Sequence, residues 1–188
     1  MNDHQLKPWQ VLDSREVYQA PPFIRIFRQR VRVSDGRVVD DYHQVQFTDF
    51  VMVVASTADG QILMERQYKH GIGGVTMVVP AGTISAGEDP LAAAQRELLE
   101  ETGYTAEDWR SVGSFITHAN YGCSKAYVFL AQKARVVAVP KSGDLEDMEI
   151  LLLRPEELYA AIREGRVRSL SATAAIALAT HPVLSRGG

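Results

Sequence analysis

The sequence has little cysteine, no long apolar run of the kind that crosses membranes, and no surplus of positive charge. Its single cysteine, Cys123, cannot form an internal disulfide, so nothing calls for an oxidising compartment. The net charge of -3 argues against general nucleic-acid binding, which needs a basic surface. The run ILLL at 150–153 is far too short to cross a bilayer, and the polar start MNDHQLKPWQ lacks the regions of a signal peptide. We therefore expect a cytoplasmic protein with a small-molecule ligand, and neither nucleic acid nor membrane as a partner.

The hydropathy pattern predicts a mixed α/β protein. A chain of 188 residues, 46% of them hydrophobic, suits one compact domain with a small appendage. Strand patterns occur at 23–33, 37–47, 50–56, 61–65, 75–79, 110–117, 125–139 and 149–153. Helical patterns follow at 155–165 and 171–179. We expect a β appendage at residues 1–48 and the main domain at residues 49–188.

The best helix signals of the chain surround residues 90–102. Asp89 can cap free amide groups, Pro90 fits the first helical position, and Gly103 is a typical end. The apolar residues that recur at helical spacing, and should face the core, are Leu91, Ala94 and Leu98. The sequence therefore predicts an amphipathic helix in this segment.

Three carboxylates share one side of this predicted helix. Glu97, Glu100 and Glu101 lie three and four residues apart, and Arg96 can pair with Glu100. One arginine leaves a surplus of carboxylate oxygens, the donors that Mg²⁺ first and Mn²⁺ second prefer. A bare ExxEE pattern, however, is more often an ordinary solvated face. The residues around this pattern are therefore needed to distinguish a metal site from a solvated helix face.

The segment from Pro80 to Tyr104 resembles the Nudix box, G-x5-E-x7-R-E-U-x-E-E-x-G-U, in which U is a bulky apolar residue. The matching residues are Gly82, Glu88, Arg96, Glu97, Leu98, Glu100, Glu101, Gly103 and Tyr104. The resemblance implies the Nudix fold, an α/β/α sandwich around a mixed sheet. It also implies hydrolysis of a nucleoside diphosphate linked to a further group.

The resemblance implies a role for each matched residue. Glu97 and Glu101 would be the principal metal ligands, and Glu100 would join them or orient water. A backbone carbonyl near Ala81 or Gly82 would complete the metal site. In the family, the residues matching Glu88 and Arg96 brace the loop against the helix, and we interpret them here as scaffold.

A wider resemblance points to the ADP-ribose pyrophosphatase branch, which also includes GDP-mannose hydrolases. It rests on ERQYKHGIGGVTMVVPAG, on PWQVLDSREVYQAPPFIRI and on the C-terminal segment that begins GDLEDMEI. In this branch a glutamate after the last long strand often handles the attacking water. Glu146 is the nearest match, with Asp144 and Glu149 as substitutes and a solvated acidic loop as the alternative. The branch also implies a homodimer formed through residues 1–48.

Four residues are candidates for substrate binding. Arg66 and Lys69 suit phosphate or ribose, with surface charge as the alternative. Trp9 and Tyr121 could stack on a base, although a packing residue or a loop aromatic is the ordinary interpretation. The chain also departs from the branch, because Val78 stands where ADP-ribose hydrolases commonly have glutamate.

The expected function is Mg²⁺-dependent hydrolysis of ADP-ribose or another nucleoside diphosphate sugar, giving a nucleoside monophosphate and a sugar phosphate. Two alternatives stay open. One is a Nudix hydrolase of dinucleoside polyphosphates, and the other is a catalytically silent domain that binds a nucleotide as a regulator. The intact Glu97, Glu100 and Glu101 argue against the silent domain.

Overall fold

The computed structural model describes residues 7–141, 147–182 and 184. The elements are the strands β1 (Gln10–Ala20), β2 (Ile24–Arg32), β3 (Val38–Phe47), β4 (Phe50–Thr57), β5 (Ile62–Lys69), β6 (Gly74–Val78), β7 (Ala81–Thr83), β8 (Tyr104–Thr105), β9 (Asp108–Ile116), β10 (Lys125–Val136) and β11 (Met148–Leu153), and the helices α1 (Pro90–Thr102), α2 (Pro155–Arg163) and α3 (Leu170–Thr180). None of the helices in these described ranges is long and apolar enough to cross a bilayer.

The described residues form two compact units. The first contains the chain up to Thr48 together with Ile116–Lys125, and the second contains Asp49–Phe115 and the chain from Ala126 onward. The first unit is built on an antiparallel sheet in the order β1-β2-β3. The second unit is built on a larger mixed sheet.

Strand β1 was not predicted from the sequence. Its pairing with β2 shifts register twice, between Val11 and Asp13 and again between Glu16 and Tyr18. Each shift is a bulge or irregularity that moves the following side chains to the other face of the strand. The period of two, which identifies a strand in a sequence, is therefore interrupted before it can be recognised.

The larger sheet runs in the order β11-β5-β4-β10-β8, with β4 and β10 parallel. β4 and β5 are joined at Ser56 and Ile62, whereas farther along β5 pairs with β6 and β4 pairs with β7. Pro80 stands between β6 and β7, because it has no N–H for a sheet ladder. The sequence pattern predicted a strand at 75–79 and none directly after Pro80, but the chain resumes pairing, with β4, at Ala81–Thr83.

Alternating residues of β4 separate two hydrophobic cores. Val51 and Val53 belong to one cluster with residues of α1, and Met52 and Val54 belong to the other with residues of α2 and α3. Because successive side chains of a strand point to opposite faces, α1 covers one face of the sheet and α2 and α3 cover the other. The predicted α/β/α arrangement is confirmed.

Helix α1 begins and ends where the sequence predicted. The Asp89 carboxylate accepts hydrogen bonds from the N–H groups of Leu91 and Ala92, and Gly103 follows the helix at φ 73°. Leu98 is fully buried. A buried leucine stabilises by about 1.5–3 kcal/mol, whereas like charges four residues apart cost roughly 0.2–0.5 kcal/mol. Packing therefore outweighs the repulsion among the glutamates of this helix.

Candidate active site

Helix α1 directs two glutamates toward strand β7. Glu101 is 7% exposed, and one of its carboxylate oxygens, Oε2, accepts a hydrogen bond of 3.0 Å from the N–H of Ala81. The side chain of Glu97 is 12% exposed, and that of Glu100 is 50% exposed. The structure thus brings Glu97 and Glu101 into the protein interior and leaves Glu100 at the surface.

The carboxylate of Glu97 lies directly against the backbone of Gly82. A Cβ atom added to Gly82 would stand 2.0 Å from Cδ of Glu97, far inside the closest approach of real side chains. Only glycine allows this contact without a shift of either group. Glu97 and Glu101 are therefore held at two consecutive residues of β7, Gly82 and Ala81.

Arg96 joins the helix to the loop before it. Its guanidinium group donates from Nε and Nη2 to the two carboxylate oxygens of Glu88, at 2.8 and 2.9 Å, and from Nη2 to the carbonyl of Thr83 at 3.1 Å. Its Nη1 donates to Glu97 at 2.7 Å and to Glu100 at 3.2 Å. The pairing with Glu100 that the sequence predicted is confirmed, and the same cation also neutralises two further glutamates.

These bonds change the acidity of the groups that share them. Hydrogen bonds from Arg96 first, and from the N–H of Ser85 second, lower the pKa of Glu88 from its ordinary value of 4.5 to about 2. The hydrogen bonds to Glu88 and then to Glu97 raise the pKa of the Arg96 guanidinium above its ordinary value. The ion pair is therefore charged throughout the physiological range.

The donor atoms at β7 suit a hard divalent cation. Within residues 7–141, 147–182 and 184, no three acidic, histidine or cysteine side chains are grouped as a ready-made metal site. The groups that meet at Ala81 and Gly82 nevertheless offer oxygen donors alone, two carboxylates and the backbone carbonyls, as Mg²⁺ and Mn²⁺ prefer. Glu97 and Glu100 currently bind Arg96, so a cation would compete with the guanidinium for their oxygens.

The predicted phosphate contacts lie on strand β5. Arg66 pairs in the sheet with Glu149 of β11, and Nη1 of Arg66 lies 2.7 Å from a carboxylate oxygen of Glu149. Both residues line an open cleft of about 520 Å³, together with Asp147. The cleft does not include the glutamates of α1. The predictions for Glu146 and Asp144 fall outside the described residues.

The two aromatic candidates for base stacking belong to the first unit. Trp9 contacts Tyr42 edge to face, with ring centroids 5.5 Å apart, and the hydroxyl of Tyr42 donates to the carbonyl of Asn120. The next residue, Tyr121, packs against His118 at 4.9 Å and is 47% exposed. Trp9 and Tyr121, far apart in the sequence, are thus connected through Tyr42.

Two buried polar residues in the middle of β5 were not identified from the sequence. Glu65 is 1% exposed and Gln67 is 3% exposed, and the Gln67 amide donates to the Glu65 carboxylate at 3.2 Å. The sequence prediction ended this strand at Glu65, whereas β5 continues to Lys69. The available signal was the alternation of Glu65, Gln67 and Lys69, which places them on one face. Val78 pairs directly with Glu65 across β5 and β6.

The low pKa of Glu88 predicts a pH-dependent contribution to stability. This contribution is fully present above pH 4.5 and is lost as the pH falls toward about 2, because in this range the unfolded chain binds a proton at Glu88 that the folded protein does not yet bind. Glu88→Gln removes the titrating group. We expect the difference in unfolding free energy between the unsubstituted chain and Glu88→Gln, measured by chemical denaturation, to shrink between pH 4.5 and pH 2. A constant difference across this window would contradict the assignment.

Comparisons with known proteins identify the family of this chain. A family described as NUDIX domain matches residues 47–173, and a second, described as Nucleoside diphosphate sugar hydrolase N-terminal domain, matches residues 9–45. A solved structure described as "Crystal structure of ADP compounds hydrolase" superposes with a TM-score of 0.79 at 20% identity, over 91% of each chain. This likeness concerns the fold.

Two relatives carry names that describe an activity. An ADP-ribose pyrophosphatase of Mycobacterium tuberculosis (strain ATCC 25618 / H37Rv) is 30% identical over 172 residues, which cover 90% of this chain and 82% of the relative. An ADP-ribose pyrophosphatase of Bacillus subtilis (strain 168) is 30% identical over 139 residues, covering 64% and 75%. With Glu97 and Glu101 held against β7 and the family match over most of its length, this chain belongs to the NUDIX family and is a Nudix hydrolase similar to ADP-ribose pyrophosphatases.

Proposed function

We propose that this enzyme uses Mg²⁺, with Mn²⁺ as a substitute, to hydrolyse a phosphoanhydride bond in a nucleoside diphosphate sugar, with ADP-ribose as the first candidate. The observation that carries the proposal is the position of Glu97 and Glu101 against Gly82 and Ala81. Relatives named ADP-ribose pyrophosphatase support the choice of substrate class. The products are a nucleoside monophosphate and a sugar phosphate.

The proposed chemistry divides between the cation and the chain. When bound, the cation neutralises the bridging phosphates and lowers the pKa of water so that it can attack phosphorus. Glu97, Glu101 and the backbone carbonyl of Ala81 hold the cation, and Glu100 either joins them or orients the water. The water oxygen forms a bond to one phosphorus while the bridging P–O bond breaks, and the leaving phosphate takes up the proton.

The remaining candidates bind or orient the reactants. Glu146 handles the attacking water, with Glu149 as the substitute within the described residues. Arg66 and Lys69 are the proposed phosphate contacts, because guanidinium and ammonium groups both bind phosphate oxygens. Trp9 and Tyr121 are the proposed contacts for the base, since an exposed aromatic ring offers a stacking surface.

A substrate panel tests the reaction class. Nucleoside diphosphate sugars and dinucleoside polyphosphates are incubated with enzyme and Mg²⁺, and the products are separated by chromatography. The proposal expects a nucleoside monophosphate and a sugar phosphate from the sugars, with no turnover in excess EDTA. Full turnover after chelation would overturn the metal requirement. Cleavage restricted to dinucleoside polyphosphates would show that these compounds, and not nucleoside diphosphate sugars, are the substrates.

The Glu101→Gln substitution separates chemistry from folding. It keeps the shape of the side chain but removes the charge that holds the cation. We expect turnover to fall by about two powers of ten, which corresponds to roughly 3 kcal/mol of transition-state stabilisation. Thermal melting should show a folded protein that gains less stability from added Mg²⁺ than the unsubstituted chain gains. Near-normal turnover in Glu101→Gln would refute the metal assignment.

Two further test variants and one control variant complete this experiment. Glu146→Gln should slow turnover but keep the Mg²⁺-induced rise in melting temperature, because its proposed role is to handle water.

Gly82→Ala changes no carboxylate, yet its Cβ displaces Glu97 and should reduce both turnover and the Mg²⁺ response. Gly71→Ala is the matched control, since a Cβ there meets no atom within 4 Å. Equal activity of the two alanine variants would contradict the role of the Gly82 contact.

We further propose that residues 1–48 form a dimerisation element and that residues 49–188 form the hydrolase domain. Among the described residues of the first unit, Val31 alone is a buried apolar residue. The large apolar side chains that the unit exposes are Trp9, Val11, Val17, Tyr18, Phe23, Val38, Phe47, Ile116 and Tyr121. A sheet with so much exposed apolar surface is typical of an interface.

The proposed dimer can be tested by measuring the mass of the protein in solution. Light scattering of the purified protein at micromolar concentration should give twice the mass of the chain, because pairing of two appendages removes the exposed apolar side chains from water. Val17→Lys, at a half-exposed position of β1, should shift the protein toward the single-chain mass. A single-chain mass for the unsubstituted protein would contradict the proposal.

A further inference from the structure

A second, smaller cavity lies in the larger unit beside strand β7. Its volume is about 230 Å³, and its polar lining residues are Glu65, Gln67, Lys69, Ser169 and Ser171. Ala81 also lines this cavity, and its N–H holds the carboxylate of Glu101. The cavity therefore borders the backbone segment at which Glu97 and Glu101 meet. Among the residues that the structure describes, the open cleft at Arg66 and Glu149 shares only Gln67 with it.

Gln67 supplies an acceptor that no described residue satisfies. Its side-chain Nε2 donates to Oε2 of Glu65, which fixes the orientation of the amide because a carboxylate can only accept. The amide oxygen, Oε1, is then directed away from Glu65, and it has no hydrogen-bond partner among the described residues. Gln67 is 3% exposed. A buried carbonyl without a donor is costly, so a ligand that brings a donor gains affinity here.

The chemistry of the lining selects a hydroxylated ring. The Gln67 amide oxygen and the Glu65 carboxylate accept hydrogen bonds, whereas the serine hydroxyls and the Lys69 ammonium group can donate. Hydroxyl groups are both donors and acceptors, and so they match this mixture. Phe50 and Val78 add apolar surface for the carbon skeleton of a ring. Pockets for complete drug-sized ligands measure roughly 300–1,000 Å³, so this smaller cavity suits one sugar ring.

We propose that this cavity is the subsite for the distal sugar of the substrate, with Gln67 and Glu65 accepting hydrogen bonds from its hydroxyls. The inference rests on the proposed function, because it places the diphosphate at Glu97 and Glu101 and the sugar next to it. Gln67 and Glu65 then determine specificity, since they distinguish a sugar from a leaving group without hydroxyls. The ribose of the nucleoside has the same chemistry and is the competing source.

Calorimetric titration in the presence of Mg²⁺ tests the assignment without turnover. The probes are ribose 5-phosphate for the distal sugar, adenosine monophosphate for the nucleoside ribose, and inorganic phosphate as the reference without hydroxylated carbon. The unsubstituted chain should bind ribose 5-phosphate more tightly than inorganic phosphate. Gln67→Met retains the length of the side chain but removes the amide oxygen, and it should lower this preference roughly tenfold.

The matched control is Gln61→Met, the same chemical change in the turn between β4 and β5. It should leave the preference within about twofold, as expected of substitutions that touch no ligand. Glu65→Gln is the second test variant, for the case that Gln67→Met does not fold. It should also lower the preference for ribose 5-phosphate over inorganic phosphate. Melting temperatures verify that each variant is folded.

The outcomes of the titration test the sugar subsite independently of the proposed hydrolysis. An unchanged preference in both folded variants overturns the subsite, as does equal affinity of the unsubstituted chain for ribose 5-phosphate and inorganic phosphate. A loss confined to adenosine monophosphate also overturns it, in favour of the nucleoside ribose. A preference that depends on Gln67 in a chain that cleaves no phosphoanhydride would support the subsite while refuting the proposed function.

Discussion

The guanidinium group of Arg96 is the interaction on which the site depends. A cation site needs carboxylates close together, but carboxylates that are close together repel one another while the cation is absent. Arg96 reduces this repulsion because it donates hydrogen bonds to Glu97 and Glu100 of its own helix. Its bonds to Glu88 and Thr83 fix the preceding loop. If a divalent cation binds as proposed, it replaces the bonds from Arg96 to Glu97 and Glu100, whereas the bonds to Glu88 and Thr83 do not involve the proposed ligands. Arg96 therefore stabilises the glutamates of the helix in the protein without a cation.

The backbone of β7 imposes the second constraint. Pro80 ends the pairing of β6 with β5, and the chain then pairs with β4, which carries Ala81 and Gly82 to helix α1. The N–H of Ala81 orients Glu101, and the missing side chain of Gly82 leaves room for Glu97. The close approach explains the glycine of the box, because a Cβ at this position would force the carboxylate of Glu97 to move. Side chains and backbone together set the spacing of the oxygen donors, which neither would fix alone.

The sequence predicted the parts of the fold that local signals determine. Helix α1 was placed correctly because its cap, its first proline and its final glycine act within a few residues. Strand β1 was missed because two register shifts interrupt its alternation. The carboxylates of the site were identified through the resemblance to the Nudix box, because their spacing alone is more typical of a solvated face, and the contact of Glu101 with Ala81 depends on tertiary packing. Glu65 and Gln67 could not be recognised as buried, since their burial depends on strands and a helix distant in the sequence.

The proposed reaction depends on Glu97 and Glu101 holding the catalytic cation beside Ala81 and Gly82. The most direct measurement is anomalous diffraction from a crystal of the protein soaked in Mn²⁺, because the manganese signal locates the ion independently of the protein atoms. We expect a peak at coordination distance, roughly 2.0–2.3 Å, from a carboxylate oxygen of each glutamate. A manganese ion bound elsewhere, with both carboxylates still on Arg96 and Ala81, would contradict it.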